Sequence, residues 1–390
     1  MNYIMKKVLI ILLIIFVAVS CTQQKSSFDR VVFSREDFGN QIYLDNPYEI
    51  VIDSLLNPAN FIVMNDSVLV VGNQDNCEYL LEIYSLNTRQ LLARFITKGS
   101  GPNEMSACAV NIHSNASAEF HLQDINTQLY YTVNLDSILK NNRLQILSKF
   151  KYSSDILSTM DLCLLDSVRY IGYNMWYLNS DKYDNHISSP LHVYMKNEES
   201  KKGINEYDYF VASVNGAYCF KNPVTNHIWA ADMHSDIIRI YDDSLNQIRS
   251  IEGPDNFKPQ YIQKQSNAPI NFVVFADDFD YRTYSDYFVT DKYIYLVYEG
   301  NKYFDIKDLK PVEIFKLDFD GNLICNYKFD RYVYSISVDK SERYLYCASR
   351  KSVMEPPIIL KYALCIRIIK LLNYEMDFYK YVVCYLMLFM

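Results

Sequence analysis

Few segments of this chain concentrate residues that do chemistry. Lys98-Gly99-Ser100-Gly101-Pro102-Asn103-Glu104 brings a cation, an anion, two glycines and a proline into one short loop. Glycine lets backbone approach another group closely, so Gly99 and Gly101 can support a binding loop that offers Lys98 and Glu104 to a polar partner. The simpler account is a turn between strands, which asks for positive φ at Gly99 or Gly101. Three carboxylates, Asp53, Asp232 and Glu299, stand near the ends of strand-like runs and are of the type that holds a divalent ion. The histidines at 113, 121, 186, 192, 227 and 234 are scattered. His227 and His234 come nearest to a metal pair, but residues seven apart on a strand point to opposite faces. No Gly-x-Ser-x-Gly, His-Glu-x-x-His or glycine-rich phosphate loop is present. No catalytic residue, metal ligand or cofactor is therefore assigned.

Cys21 carries a different chemistry. Lys6 and Lys7 precede an uncharged apolar run from Val8 to Val19, which ends in Ala18-Val19-Ser20-Cys21 and gives way to Thr22-Gln23-Gln24-Lys25-Ser26-Ser27. A basic start, a short apolar run and a small residue before the cut describe an export signal. With cysteine in that place, residues 1–20 resemble a bacterial lipoprotein signal. The resemblance implies acylation of Cys21 (a palmitate-type chain), a polar tether over 21–40, and attachment to a membrane through that lipid. The run is too short to span a bilayer, which takes about 20 apolar residues. An ordinary cysteine after a cleaved signal, or a membrane anchor, are the competing accounts. The first acidic residue after Cys21 is Asp29, so an outer-membrane, periplasm-facing location in the cell envelope is expected over a surface one.

Half of the 390 residues are hydrophobic, so a large core is available. The 35 tyrosines stand out, and tyrosine is a strand former. A net charge of −8 argues against nucleic acid, which needs a basic footprint. Beyond Cys21 and the tail cysteines Cys365 and Cys384, there remain Cys77, Cys108, Cys163, Cys219, Cys325 and Cys347, with no CxxC pair. Several lie inside apolar runs, as buried thiols acting as small hydrophobes do, and one disulfide of unassigned partners is the alternative.

Between residues 41 and 364, short β-type runs recur in pairs. Val68, Phe120, Val168, Ile228, Ile294 and Leu345 begin successive first members, at intervals of 52, 48, 60, 66 and 51 residues. A second member often reads apolar, any, apolar, aromatic, as in Leu81-Glu82-Ile83-Tyr84, Ile238-Arg239-Ile240-Tyr241 and Val312-Glu313-Ile314-Phe315. Several short strands per unit, repeated six times, predict an all-β six-bladed β-propeller. A β-sandwich, single or paired, is the plainer alternative. Asp318-Phe319-Asp320-Gly321-Asn322 and Asp242-Asp243-Ser244-Leu245-Asn246 read as hairpin turns, although they superficially resemble calcium loops. The run Tyr48-Glu49-Ile50-Val51-Ile52-Asp53 has no partner in the first unit, and pairing with the last blade would close the ring.

Ser20-Cys21, Ile52-Asp53-Ser54-Leu55-Leu56-Asn57-Pro58, the Lys98–Glu104 loop, Leu317-Asp318-Phe319-Asp320-Gly321-Asn322 and the stretch from Tyr334 to Tyr362 together resemble the TolB-like six-bladed β-propeller lipoproteins of Bacteroidota. The resemblance covers about residues 45–364. It implies a propeller at 41–364 on a lipid tether and supplies no activity or catalytic residues. Residues 365–390 depart from it as an atypical tail, too interrupted by charge to span a membrane. The expected role is an envelope lipoprotein that binds a protein or glycan partner. Some six-bladed propellers are metal-dependent lactonases or lyases with acidic groups in the channel, so a hydrolase or lyase using Asp53, Asp232 and Glu299 is one alternative. A structural part of an envelope assembly is another.

Overall fold

The computed structural model describes residues 28–52, 58–73, 77–101, 104–111, 118–124, 126–152, 162–173, 191–195, 210–212, 216–257, 260–265, 271–275, 281–302, 309–352 and 355–364. Cys21, Asp53 and the tail 365–390 lie outside them.

Successive antiparallel strands form blade-like sheets in chain order. Blade 1 holds Pro58–Met64, Val68–Asn73, Tyr79–Ser85 and Leu91–Lys98, with Glu104–Met105 added in parallel at its outer edge. Blade 2 follows with Ala109–Asn111, Glu119–Asp124, Leu129–Asn134 and Ile146–Lys151. Blade 3 has three strands among the described residues: Cys163–Leu164, Arg169–Tyr173 and Leu191–Met195. Blades 4 (217–252), 5 (281–329) and 6 (333–363) complete the set. Thus five sheets are four- or five-stranded and one is narrower. A separate three-stranded sheet joins Phe210–Ala212, Tyr261–Gln265 and Asn271–Phe275.

The second strand of each blade explains the apolar runs. Every residue of Val68–Asn73 is buried, because both faces of a blade are covered by its neighbours. Side chains from adjacent blades fuse into shared clusters. Tyr130, Phe150 and Tyr170 join blades 2 and 3. Ile171, Cys219 and Ile228 join blades 3 and 4. Trp229, Phe315 and Leu317 join blades 4 and 5. Phe61, Val63, Tyr346 and Ile359 join blade 6 back to blade 1. The described cysteines form no disulfide; Cys108, Cys163, Cys219, Cys325 and Cys347 are buried, and burial pushes the Cys108 thiol up to about 12.

The acidic turns are hairpin chemistry. Asp318 Oδ1 accepts the Asp320 and Asn322 N–H groups, and Gly321 sits at φ +81. Asp242 Oδ1 does the same for Ser244 and Asn246. Each carboxylate is occupied by its own turn.

The N-terminal segment corrects the expectation of a polar tether reaching residue 40. Asp29–Val32 pairs in parallel with the outer strand Gln247–Glu252 of blade 4, and Asn40–Leu44 with Leu323–Phe329 of blade 5. Tyr48–Ile50 then pairs antiparallel with Ile358–Ala363 of blade 6, before the chain enters blade 1. The predicted closing strand is therefore in place, and the same segment covers three outer edges that would otherwise be open. Arg35 fastens it: Nη1 and Nη2 donate to Asp255 at 2.7 and 3.0 Å and Nε donates to Glu313 at 2.6 Å. Phe33 and Phe38 pack on Phe315 with ring centroids 5.9 and 5.0 Å away. Gly253, at φ +135, leaves the room this crossing needs, since a Cβ there would stand 2.2 Å from the Phe33 carbonyl oxygen.

If the closing strand holds the ring, Ile50→Ala should cost about 2–5 kcal/mol in urea unfolding, the range for a buried large-to-small change. A loss below about 0.5 kcal/mol, typical of surface positions, would show that the strand is not part of the cooperative core.

Candidate functional site

All inner strands begin at one end of the ring, here called the upper face. The lower face has tight turns, such as 65–67, 290–292 and 319–322, whereas the strand ends at Glu252, Lys302 and Glu313 open toward the upper one. Loops carried by a rigid scaffold are the usual place for binding groups.

At the upper face, blades 5 and 6 bring together a ledge of alternating arginine and tyrosine. Arg282 is on the inner strand Tyr281–Val289, and Tyr332 and Tyr334 flank the start of Val333–Val338. The ladder is irregular between Val333 and Ser335, and the two tyrosines stack on each other with ring centroids 6.3 Å apart and planes 26° from parallel. Arg350, just past Tyr344–Ser349, places its guanidinium carbon 5.3 Å from the Tyr334 centroid. The Tyr334 hydroxyl donates to the Pro58 carbonyl at 3.0 Å and ties the ledge to blade 1. Ser349 Oγ donates to the Tyr332 carbonyl at 2.7 Å. Glu299 lies behind Arg282, with Oε2 3.8 Å from Nε. Burial holds the Glu299 carboxyl above the usual carboxylate range, opposed by the Arg282 charge. Burial likewise pushes the Tyr332 and Tyr334 phenols up to about 12, so both stay neutral.

Farther along the inner strands is a cavity of about 30 Å³, lined in part by Asn60, Asn111, Asp286, Tyr287 and Ser335, with room for a water or two. Polar side chains in and beside it stitch neighbouring blades together. Asn60 Nδ2 donates to the Val110 carbonyl at 2.8 Å and its Oδ1 accepts the Val110 N–H. Asp286 Oδ2 accepts the Ile336 N–H at 2.7 Å, and Ser337 Oγ accepts the Val63 N–H at 2.8 Å. An inner strand has no further strand beside it, so these contacts satisfy backbone groups that would otherwise be orphaned.

Asp286 is half-buried as a residue, but its carboxyl is enclosed. Burial pushes its pKa up to about 7, against the pull of the Ile336 and Tyr287 N–H groups and the Ser335 hydroxyl. The buried Cys347 thiol is pushed up by burial first and by the Asp286 charge second. An unfolded aspartate loses its proton near pH 4, so the folded state binds the extra proton between about 4 and 7. The Asp286 contribution to stability therefore declines as pH rises through that window and stays lost above it. Asp286→Asn keeps an acceptor for Ile336 and removes the charge. Its stability advantage over the unmodified protein should grow from pH 4 to pH 8 in urea titrations, and an advantage independent of pH would exclude this account.

The residues singled out from sequence are distributed otherwise. Lys98 and Glu104 are not at the channel mouth but on the outer edge of blade 1, where Thr97 pairs with Glu104 and Lys98 with Met105. Lys98 is exposed. Glu104 folds back on its own loop, its Oε2 accepting the Gly101 N–H at 2.7 Å. Neither Gly99 nor Gly101 has the positive φ expected of it. Their role is space: a Cβ on Gly99 would stand 2.0 Å from Glu104 Oε2, and one on Gly101 3.0 Å from it. Because the obstacle is a movable side chain, Gly99→Ala should destabilise the protein when Glu104 is present and much less in the Glu104→Ala background. Additive effects in that double-mutant cycle would contradict the steric reading.

Asp232 is committed to its turn, accepting from the His234 and Ser235 N–H groups and from Arg239 Nη1 at 3.0 Å. Glu299 faces Arg282. Among the described residues, no three His, Cys, Asp or Glu side chains gather as a metal-ion group. No described helix is long and apolar enough to cross a membrane. Sequence reasoning passed over Arg282, Tyr332, Tyr334, Arg350 and Asp286. The available signals were an aspartate inside the aromatic run Tyr284–Phe288 and the Tyr-x-Tyr opening of the last blade.

These sheets and their ring of shared clusters define a β-propeller. Residues 49–341 match the family described as TolB-like 6-blade propeller-like, and the chain belongs to that family. Among solved structures, it is similar to a member of the DUF4221 family from Bacteroides vulgatus, with a TM-score of 0.54 and 12% identity over 82% of this chain and 96% of that one. It is also similar to a Bacteroides fragilis chain, with a TM-score of 0.46 and 11% identity over 85% of this chain and 98% of that one. At such identities the likeness concerns the fold alone. No curated protein matches the sequence.

Proposed function

We propose that this chain is an exported envelope lipoprotein, acylated on Cys21, whose propeller captures a protein or glycan partner at its upper face. The observation that carries the binding part is the Arg282–Tyr332–Tyr334–Arg350 ledge, where partly exposed rings and guanidiniums gather at the upper ends of blades 5 and 6. Aromatic and arginine side chains dominate the energetics of recognition surfaces because they bring large area and many donors at low entropy cost. The anchoring part is supported by Ala18-Val19-Ser20-Cys21 after a basic, apolar leader. A surface tethered by a single acylated end keeps the propeller free to meet its partner.

Two experiments test the reading separately. Cys21→Ala should abolish incorporation of labelled palmitate in cells; a variant that still takes up label would overturn the anchor. A photo-cross-linking residue at position 332 should capture an envelope component that one at Val224, exposed on a lower-face turn, does not. Equal capture from both positions would overturn upper-face binding.

A further inference from the structure

The turns of the lower face differ from one side of the ring to the other. On blade 3, Asp166 Oδ1 accepts the Val168 and Arg169 N–H groups at 2.8 and 2.7 Å. On blade 4, Asn222 Oδ1 accepts those of Val224 and Thr225 at 2.8 and 3.1 Å. In both turns the polar residue is committed to the backbone, and a valine stays outside, 50% exposed at Val168 and 68% at Val224. Blade 2 adds Leu139 on its helix Leu135–Asn141, and Ile146 and Leu147 at the lower start of its outer strand, all exposed. Phe28, also exposed, stands at the lower end of Asp29–Val32, which ascends beside Gln247–Glu252. The turns of blades 5, 6 and 1 present Asp320, Lys340 and Asp66 instead. Val32, Tyr43, Tyr48 and Leu92 are exposed too, but on the rim strands of four different blades. Single apolar residues on a surface are ordinary; six gathered on consecutive blades at one face mark a contact surface.

Resting on the lipid-anchor reading above, we propose that the lower face of blades 2, 3 and 4 lies against the lipid bilayer, with these six side chains in its interfacial layer. The position of the anchor selects lipid over a protein partner. Seven residues, 22–28, join Cys21 to Asp29, a span of at most roughly 28 Å even when fully extended. They leave the ring at the lower corner of blade 4, so an acyl chain on Cys21 draws that corner, not the upper face, to the membrane. Valine, leucine and phenylalanine at turn tips bring apolar area without directed hydrogen bonds, which suits the boundary between headgroups and acyl chains. Asp136, Lys140, Arg143, Asp242 and Asp243 around the patch bring both signs of charge, so the contact does not require anionic lipid. The upper face and its ledge then point away from the membrane.

Photo-cross-linking of the full chain in cells tests this, with the capturing residue at 147, 168, 320, 332 or 340 and the adducts identified by mass. Positions 147 and 168 should yield membrane-lipid adducts, at least about tenfold more than 320 and 340 on the same face or 332 on the opposite one. Val224→Asp combined with Leu139→Asp should lower the yield at 168 by about tenfold, as the loss of two buried apolar side chains from the interface implies. Both positions are exposed, so the melting temperature should not move. Equal lipid yields at all five positions, capture of a protein in place of lipid at 147 and 168, or an undiminished yield in the double variant would each overturn the surface. Palmitate labelling of the same cells separates this failure from that of the anchor. If Cys21 takes up label and 147 and 168 capture no lipid, the surface falls and the anchor stands. If no label enters and lipid is still captured, the anchor falls and the surface stands; if neither occurs, both fall.

Discussion

The antiparallel pairing of Tyr48–Ile50 with Ile358–Ala363 is the contact on which the remaining architecture depends. A ring of sheets has to join its first and last blades, and a mismatch there exposes strand edges on both sides. Here residues from the start of the chain supply the outermost strand of the last blade. Ile50 and Ile52 bury against Phe61, Tyr346 and Ile359, so the closure is a packed seam as well as a ladder. Before reaching that seam the chain has already lain along blades 5 and 4, held by Arg35 between Asp255 and Glu313. One continuous segment thus spans half of the ring's outer rim.

Closure at the rim is matched by side-chain bridges at the axis. Asn60, Asp286 and Ser337 each satisfy backbone groups of the neighbouring inner strand, and Asp286 does so with a carboxyl that burial makes reluctant to ionise. The tyrosine richness follows from the same geometry. Tyr84, Tyr130, Tyr170, Tyr284, Tyr295, Tyr298, Tyr346 and Tyr362 are fully buried, where a ring fills the gap between blades. Others pair with cations on the adjoining strand, as Lys316 does over Tyr293 and Lys361 over Tyr344, each 3.7 Å from the centroid. Tyr334 joins the second group, with the Arg350 guanidinium over its ring, and Tyr332 stacks on Tyr334. They remain half-buried at the upper face, beside Arg282 and Arg350.

Much of the scaffold was legible in the amino-acid order. The runs Val68-Leu69-Val70-Val71 and Ile294-Tyr295-Leu296-Val297 are apolar on both faces because each is a second strand, buried between neighbouring blades. The Asp318–Asn322 turn and, of the unpartnered run from Tyr48, the strand Tyr48–Ile50 also gave correct local answers, since turn chemistry and open edges are short-range constraints. The belt at 29–44 was not legible: Asp29–Val32 is mostly exposed, and it is a strand only because blade 4 presents an edge to it. The Lys98–Glu104 loop misled for a related reason. Charge and glycine content do not say at what radius a loop sits, and this one is at the rim. The ledge was hidden because its members come from three strands whose side chains meet only after blades 5 and 6 are set side by side.

Hydrogen–deuterium exchange of the full chain tests the closed ring most directly, because amides that open only with the whole fold exchange together. The account predicts that the amides of Tyr48–Ile50 exchange as slowly as those of Ile358–Ala363 and of the buried strand Val68–Asn73, and shift with them when urea is added. Fast exchange of Tyr48–Ile50 while blade 6 stays protected would contradict it, and would reduce the seam to an accessory contact on an already stable ring.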